Sequence, residues 1–286
     1  MHSEELNAGD AYLLSKEEVR KKSIEAKKAG ATELCIQGGL HPDLGIPYYG
    51  ELLKVVKETS GLHVHAFSPM EIKYAAEKSG LSIDKSLEYL KECGLDSIPG
   101  TAAEILDDDV RSAICPNKIK TKEWIEVIKA AHKHRIPTTA TMLYGHVEGV
   151  DKQVKHLEIL RKIQDETKGF TEFIPLSFVH FNSPLYRSGN SKGGATGIED
   201  LKVYAVSRLF LNNFRNIQAS WIKLGRKLAQ VMLDFGANDL GGTLMEENIS
   251  KSAGVNSEMM TVREFERMIL ESGRTPKQRD TLYNLL

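Results

Sequence analysis

The sequence predicts a TIM-type α/β barrel of parallel strands, and two observations support this fold class. Short apolar runs of strand length alternate with longer segments in which apolar residues recur at spacings of three and four. Such alternation is typical of parallel strands that are joined by helical crossovers. With 286 residues, of which 41% are hydrophobic, the chain is also long enough to bury the core that this fold needs.

Seven strands are predicted, whereas a closed barrel of this type has eight. They span residues 33–38, 63–67, 97–99, 138–143, 170–176, 217–222 and 237–240. The first helix begins near Ser15 with no strand before it, so either the sheet is open with seven strands or its first strand has been lost. We interpret residues 1–14 as a polar N-terminal segment, 15–248 as the barrel and 249–286 as a C-terminal helical extension.

Three capping boxes predict where helices begin, because a serine or threonine followed three residues later by glutamate satisfies N–H groups of the first turn. The boxes pair Ser15 with Glu18, Ser68 with Glu71, and Thr261 with Glu264. Pro69 follows Ser68 at the first helical position, where its fixed backbone angle suits a helix.

The composition argues against several classes of protein. The 38 lysine and arginine residues nearly balance 39 aspartate and glutamate residues, whereas general nucleic-acid binders carry a basic excess. No apolar run approaches the roughly 20 residues of a membrane span, and the N-terminus has no apolar signal segment. Because Cys35, Cys93 and Cys115 are odd in number and far apart, we expect no disulfide framework and a cytoplasmic location.

The end of the first predicted strand is a candidate ligand site, because parallel barrels bind ligands at the C-terminal ends of their strands. Gln37 is followed there by Gly38 and Gly39. Paired glycines let the backbone approach a ligand closely and expose its N–H groups. A plain turn before the next helix is the alternative.

The second predicted strand carries two histidines on one face. Strand alternation places His63, His65 and Phe67 on the same side. Histidines that face a barrel interior are costly unless they meet a polar partner, which is either a ligand or a neighbouring strand. Ser68 follows directly, and its role as a helix cap is an alternative to ligand binding.

Further polar candidates follow the later strands. They are Glu104, Tyr144, His146, His180, Asn238, Asp239 and Glu246. We expect such carboxylates, amides and imidazoles to bind an amine, a ribose or a polar heterocycle. The alternatives are that Glu104 only caps a helix and that the last loop only closes the barrel. His146 and Glu148 alone fix too little geometry to predict a metal site.

Long motifs along the chain carry a family resemblance. They are GGLHPD, HAFSPMEI, PGTAAEILDDDVR, ICPNKI, TTATMLYGHVE, GFTEFIPLSFVH, NIQASWIKLG, GANDLGGTLMEENIS and GRTPKQRDTLY. From about Ala11 to Tyr283 the chain resembles the 4-hydroxyphenyl transferase subunit of FO synthase, a radical S-adenosylmethionine (SAM) family of deazaflavin biosynthesis.

The resemblance implies the reaction and its cofactors. The family uses SAM and a 4Fe-4S cluster to generate a 5′-deoxyadenosyl radical, which oxidises L-tyrosine so that its Cα–Cβ bond breaks. The hydroxybenzyl fragment joins 5-amino-6-(D-ribitylamino)uracil, and 2-iminoacetate is released. A partner radical enzyme, the second FO synthase subunit, then closes the deazaflavin ring.

Matching positions assign expected roles to the candidate residues. The resemblance implies that SAM binds Gln37, Gly38, Gly39, Glu104 and Tyr144. The predicted substrate-binding residues are His65, Ser68, His146, His180, Asn238, Asp239 and Glu246.

The sequence departs from the family in its cysteines. The family has a CxxxCxxC motif, whose three thiolates bind three irons of the cluster, and no such motif occurs in this sequence. Cys35, Cys93 and Cys115 belong to three different strand–helix units, so we do not expect them to share a cluster. We therefore expect a truncated chain that alone neither holds the cluster nor turns over.

Two other functions remain open from the sequence. One is a radical SAM enzyme of the futalosine pathway of menaquinone biosynthesis, a related family that shares GGLHPD and TMLYGH. The other is a cluster-free barrel that binds a small ligand without redox chemistry.

Overall fold

The computed structural model describes residues 12–244 and 260–286, in which helices alternate with short strands. The elements are α1 (Lys16–Lys28), β1 (Glu33–Ile36), α2 (Ile46–Ser60), β2 (His63–Ala66), α3 (Pro69–Lys78), α4 (Ile83–Glu92), α5 (Asp108–Ile114), α6 (Thr121–Lys133), β3 (Thr138–Tyr144), α7 (Val150–Thr167), β4 (Phe170–Ser177), α8 (Pro184–Arg187), α9 (Gly197–Phe210), α10 (Trp221–Leu224), α11 (Arg226–Met232) and α12 (Val262–Glu271). Within the described ranges, no helix is both long enough and apolar enough to cross a membrane.

The described residues divide into two compact units. Unit 1 is built from the described part of Met1–Gly100, with Glu123–Thr138 and Arg279–Asn284. Unit 2 is built from Thr101–Lys122, the described part of Thr139–Gln278, and Leu285–Leu286. The two units are therefore interleaved along the chain rather than consecutive.

Unit 1 contains a parallel sheet. Strands β1 and β2 pair in parallel, and Glu33 lies opposite His63 at the start of this ladder. A parallel bridge joins His65 to Ser97, and a second bridge joins the residue after Ser97 to Thr138 at the start of β3. The parallel pairing agrees with the prediction from the sequence.

The apolar core of unit 1 contains residues of β2 and of helices α2, α3, α4 and α6. Val64 and Ala66 of β2 belong to this core, whereas His65 occupies the alternate position between them. Phe67 has a backbone φ of 60°, and its ring stacks on Tyr49 of α2 with the ring centroids 4.3 Å apart. The prediction that Phe67 shares a face with the histidines is therefore wrong, because the left-handed backbone turns its side chain into the core.

Unit 2 contains β4 and all of β3 after Thr138, and the two strands pair with each other. Parallel bridges extend the strand pairing, from Phe173 of β4 to Ile217 and from Gln218 to Asp239. The Phe173 ring meets Phe214 edge-on, with their centroids 6.3 Å apart. Each of the seven predicted strand positions therefore holds either a strand or an isolated bridge.

The predicted strand at 217–222 ends earlier than expected. Ser220 begins a helical turn, so Trp221 and Ile222 lie in α10 rather than in a strand. The Trp221 indole N–H donates to the Gly242 carbonyl at 3.1 Å. This bond fixes the buried tryptophan in the turn, which the apolar sequence pattern alone did not predict.

Capping boxes begin four of the described helices. The three predicted boxes are present at α1, α3 and α12. A fourth, between Thr196 and Glu199, begins α9 and was not predicted. In each box the cap side chain accepts from the backbone N–H three residues later, while the glutamate accepts from the N–H of the cap residue.

The C-terminal residues Arg279–Asn284 belong to unit 1, although most of the chain before them belongs to unit 2. Thr281 is buried, and its hydroxyl donates to the carboxylate of Glu33 at 2.7 Å. This hydrogen bond connects the C-terminal segment to the first residue of β1.

Candidate functional site

The segment after β1 is exposed at Gln37, Gly38 and Gly39. The Gly38 N–H donates to the Glu71 carboxylate at 2.9 Å, so this N–H is already used within the protein. The expectation that both glycines offer free N–H groups is therefore wrong for Gly38. Apart from Gly39 and its two chain neighbours, no described residue has a heavy atom within 4 Å of the position that a Cβ on Gly39 would take. The segment thus leaves open space for a ligand to approach its backbone.

Ser68 and Glu71 form the buried capping box of α3. Both the N–H and the hydroxyl of Ser68 donate to one Glu71 oxygen at 2.7 Å, and the other oxygen accepts from Gly38. Burial raises the pKa of Glu71 above its ordinary value, and the hydrogen bonds from Ser68 and Gly38 oppose this shift. The cap pattern predicted the helix start but not the link to the strand end.

His65 is buried and lies beside a serine that it shares with His63. The Ser97 hydroxyl lies 2.7 Å from His63 Nε2 and 2.7 Å from His65 Nδ1. Since a hydroxyl has one proton, at least one of the two imidazoles must donate to the oxygen. Burial lowers the pKa of both histidines. The neighbouring strand therefore supplies the polar partner that was one of the two interpretations of these residues.

Glu104 lies in unit 2, where its backbone φ is 45°. Its carboxylate forms an ion pair with Lys118, and its carbonyl accepts from the Leu143 N–H at 2.9 Å. Arg111 is buried in α5 and donates to the Ala102 carbonyl at 3.1 Å and to the Ile119 carbonyl at 2.9 Å. Arg111 therefore anchors the segment that precedes Glu104. The sequence did not predict this role, because only the fold brings the carbonyls of Ala102 and Ile119 to the Arg111 side chain.

Tyr144 is fully buried at the end of β3. Its hydroxyl donates to the carboxylate of Asp200, a residue of the first turn of α9, at 2.6 Å. Burial raises the pKa of the Tyr144 hydroxyl and also that of the Asp200 carboxyl. Asp200 was not predicted as a site residue, because the sequence shows only an acidic first turn.

His146 and Glu148 form a buried turn after β3. His146 Nε2 lies 3.0 Å from the Leu143 carbonyl, and the Val147 N–H donates to His146 Nδ1 at 2.8 Å. The Glu148 carboxylate accepts from the Gly145 N–H at 2.6 Å. Burial lowers the pKa of His146, and the Glu148 charge opposes this shift. Both nitrogens of the predicted substrate residue thus have partners within the turn.

His180 lies in the loop after β4, where it is half-buried. Its ring centroid is 4.3 Å from that of Phe181 and 4.6 Å from that of Tyr186. A Cβ on Gly194 would come within 3.3 Å of His180 Nδ1, so the following glycine-rich stretch approaches the imidazole closely. The three rings form an aromatic cluster, which we call the His180 cluster.

The last predicted strand contributes Asn238 and Asp239. The Asn238 side-chain oxygen accepts from Arg208 and from the Ile217 N–H, both at 2.8 Å. The Asp239 carboxylate accepts from the Gly241 N–H at 2.6 Å. The Asn238 side chain therefore connects α9 to Ile217, the residue that pairs with Phe173 of β4. Glu246 lies outside the described residues.

The cysteines do not fit a cluster that needs three thiolates together. Cys35 is exposed on β1, Cys93 is buried in the unit 1 core, and Cys115 is half-buried in unit 2. Within the described ranges, no group of three histidine, cysteine or acidic residues is arranged to hold a metal ion.

Comparisons with known proteins define the class. The profile of the radical SAM superfamily matches residues 3–160, and that of the CofH/MqnC C-terminal region matches residues 167–286. The crystal structure of methylornithine synthase (PylB) aligns with a TM-score of 0.65, covering 93% of this chain and 75% of that chain at 18% identity. The fold is therefore the α/β radical SAM barrel of parallel strands, which confirms the predicted fold class.

Curated relatives define the family within this class. The chain is 57% identical to the 5-amino-6-(D-ribitylamino)uracil–L-tyrosine 4-hydroxyphenyl transferase of Methanocaldococcus jannaschii, covering 98% of this chain and 80% of the relative. It is 54% identical to the protein of the same name from Methanothermobacter thermautotrophicus, covering 96% and 76%. The chain belongs to this transferase family, whose superfamily uses SAM and a 4Fe-4S cluster, and the predicted resemblance is confirmed.

Proposed function

We propose that this chain serves as a 5-amino-6-(D-ribitylamino)uracil–L-tyrosine 4-hydroxyphenyl transferase of deazaflavin biosynthesis. The observation that carries the proposal is the 57% identity to the M. jannaschii relative, which extends over 98% of the chain. The match to both family regions supports the same assignment, since it includes the C-terminal part as well as the barrel.

We propose that the methionyl part of SAM lies against Gln37, Gly38 and Gly39. The open space beside Gly39 supports this placement, because a ligand can contact the backbone there without displacing a side chain. In unit 2, Glu104 stays a predicted SAM contact through its carboxylate. Tyr144 is better suited to support the strand end than to bind a ligand directly, since its hydroxyl donates to Asp200.

For the substrates, His180 is the best-placed candidate of unit 2. It is half-buried within the His180 cluster, whose rings suit stacking on a phenol or a uracil. His65 is the best candidate of unit 1, because Ser97 contacts its Nδ1 rather than its Nε2. Ser68, His146 and Asn238 are better suited to positioning, because their polar side-chain atoms already have partners.

Calorimetry with the isolated chain tests this function without requiring turnover. We expect L-tyrosine and 5-amino-6-(D-ribitylamino)uracil to bind, and futalosine-type substrates not to bind. His180→Ala should weaken binding of one of the two expected ligands, while the exposed Tyr12→Ala provides a control far from the candidate residues in sequence. Binding of the futalosine-type substrate alone would assign the chain to that pathway instead.

We also propose that the three cysteines of this chain do not bind the 4Fe-4S cluster by themselves. Their separate environments support this, because one is exposed, one is buried in an apolar core and one is half-buried in the other unit. Anaerobic reconstitution followed by iron and sulfide analysis is the test. About four of each per chain, together with turnover, would contradict the proposal.

A reducing, cytoplasmic setting and a second FO synthase subunit complete the proposal. The free cysteines support such a setting. The partner subunit would convert the coupled product, so adding it to a reaction that contains the product should yield deazaflavin.

A further inference from the structure

Glu71 differs from the other capping-box glutamates in what its second oxygen contacts. In α1, Glu18 accepts from the Ser15 N–H and hydroxyl at 2.7 Å, the same distances that Glu71 has to Ser68. The Glu18 box is exposed, whereas the Glu71 box is buried. Glu71 additionally accepts from the Gly38 N–H at 2.9 Å, 33 residues earlier in the chain. One carboxylate therefore joins the start of α3 to the end of β1.

The hydrogen bond from Gly38 fixes the orientation of one peptide unit. In a trans peptide the N–H and the preceding C=O point in opposite directions, and this bond is not among the cis bonds of the described chain. Because the Gly38 N–H points at Glu71, the Gln37 carbonyl must point away from it. That peptide lies in the exposed segment with open space at Gly39.

We propose that Glu71 is a positioning residue that holds the Gln37–Gly38 peptide in the orientation needed to bind the amino-acid part of SAM. This inference rests on the proposed function. The carbonyl directed away from Glu71 is an acceptor of the kind that an ammonium group requires. Glu71 itself does not touch the ligand, and it acts through the backbone that it anchors.

A carboxylate is needed at position 71, because three groups donate hydrogen bonds to it. They are the N–H and the hydroxyl of Ser68 and the N–H of Gly38. A glutamine offers one acceptor oxygen and one NH₂ group. Glu71→Gln therefore keeps the side-chain shape but cannot accept at both positions, so either Ser68 or Gly38 meets a second donor. The Glu18→Gln variant makes the same change in an exposed capping box, where the described hydrogen bonds to the carboxylate come from Ser15 and not from a strand end. It is therefore a matched control.

Amide hydrogen exchange and SAM titration together test the inference. In Glu71→Gln and Glu71→Ala we expect faster exchange at Gly38, with the amides of α2 unchanged, and no such effect in Glu18→Gln. By calorimetry, SAM should bind the Glu71 variants roughly tenfold more weakly, while the affinity for L-tyrosine stays the same. A purely structural role would weaken the binding of both ligands together.

The outcomes separate this inference from the proposed function. Unchanged exchange at Gly38 in both Glu71 variants, or unchanged SAM affinity, overturns the positioning role. If the wild-type chain binds L-tyrosine and 5-amino-6-(D-ribitylamino)uracil but no SAM, the role of Glu71 in SAM binding fails while the proposed function stands. Equal effects of Glu18→Gln and Glu71→Gln would assign the result to helix capping and would also overturn the inference.

Discussion

The Tyr144 hydroxyl donates to the Asp200 carboxylate at 2.6 Å, across 56 residues of sequence. Tyr144 ends β3, and Asp200 lies in the first turn of α9. Both side chains belong to buried residues. Since a buried carboxylate that loses its donor is costly, this pair ties the position of α9 to the end of β3, just before the predicted site residue His146.

Removing the tyrosine hydroxyl should therefore destabilise the protein. We expect Tyr144→Phe to lower the free energy of unfolding by about 1–3 kcal/mol, because Asp200 loses a short hydrogen bond in a buried setting. Tyr12→Phe, at an exposed tyrosine, should change it by less than about 0.5 kcal/mol. Urea unfolding followed by circular dichroism measures both values. Equal stability of the two variants would show that the Tyr144–Asp200 bond contributes nothing.

The free energy of unfolding should fall in weak acid, because burial opposes the protonation of His156 in the folded protein. The Leu106 N–H donates to His156 Nδ1 at 2.9 Å, and burial lowers the pKa of this histidine to about 3. The unfolded chain protonates at an ordinary pKa of about 6.5, so protons favour unfolding. The contribution of His156 to the free energy of unfolding is fully present above about pH 6.5. It is lost as the pH falls toward about 3, by at most about 1.4 kcal/mol per pH unit.

A His156→Gln variant checks this assignment. It should be less stable than the wild type at neutral pH, since the Leu106 N–H loses its histidine acceptor. Its stability should depend less steeply on pH between about 6.5 and 4, because one titrating group is gone. Unfolding curves across that range decide the matter, and parallel pH profiles for the two proteins would exclude His156 as the cause.

Gly50 should not tolerate a side chain. A Cβ at this position of α2 would lie 2.5 Å from a ring carbon of Tyr89 and 2.9 Å from the Cys93 sulfur. We expect Gly50→Ala to cost about 1–3 kcal/mol through overpacking, despite the higher helix propensity of alanine. Beyond its chain neighbours and its own helix backbone, the new methyl of Gly197→Ala in α9 meets no described atom within 4 Å, so this variant should be neutral or stabilising. Thermal unfolding compares the two, and a stable Gly50→Ala variant would contradict the close packing.

Replacing Arg111 with lysine should loosen the segment before Glu104. The guanidinium donates to carbonyls of Ala102 and Ile119 from different nitrogens, and one ammonium cannot reproduce this planar arrangement. We expect a loss of about 2 kcal/mol or more and faster amide exchange at Leu143, which donates to the Glu104 carbonyl. Arg267→Lys, on the exposed face of α12, is the control and should change neither. Identical exchange in the two variants would argue against the anchoring role.

Features that depend on residues close together in the sequence could be predicted from the sequence. The alternation of apolar runs located each strand and bridge among the described residues, and the spacing of Ser68 and Glu71 located a helix start. The sequence pattern could not show that Glu71 also binds Gly38, or that Tyr144 meets Asp200, since those partners are 33 and 56 residues away. The strand predicted at 217–222 was overextended, because an apolar run does not distinguish a strand from a short helix.

The hydrogen bond between Thr281 and Glu33 spans 248 residues and sets an order of events during synthesis. Glu33 is made well before Arg279–Asn284, the segment that completes the described part of unit 1. Unit 1 therefore gains this contact only after the intervening residues of unit 2 have been made, although most of unit 1 precedes them in the sequence. A deletion of Arg279–Asn284 would consequently disturb an early part of the nascent chain rather than the residues beside it in sequence.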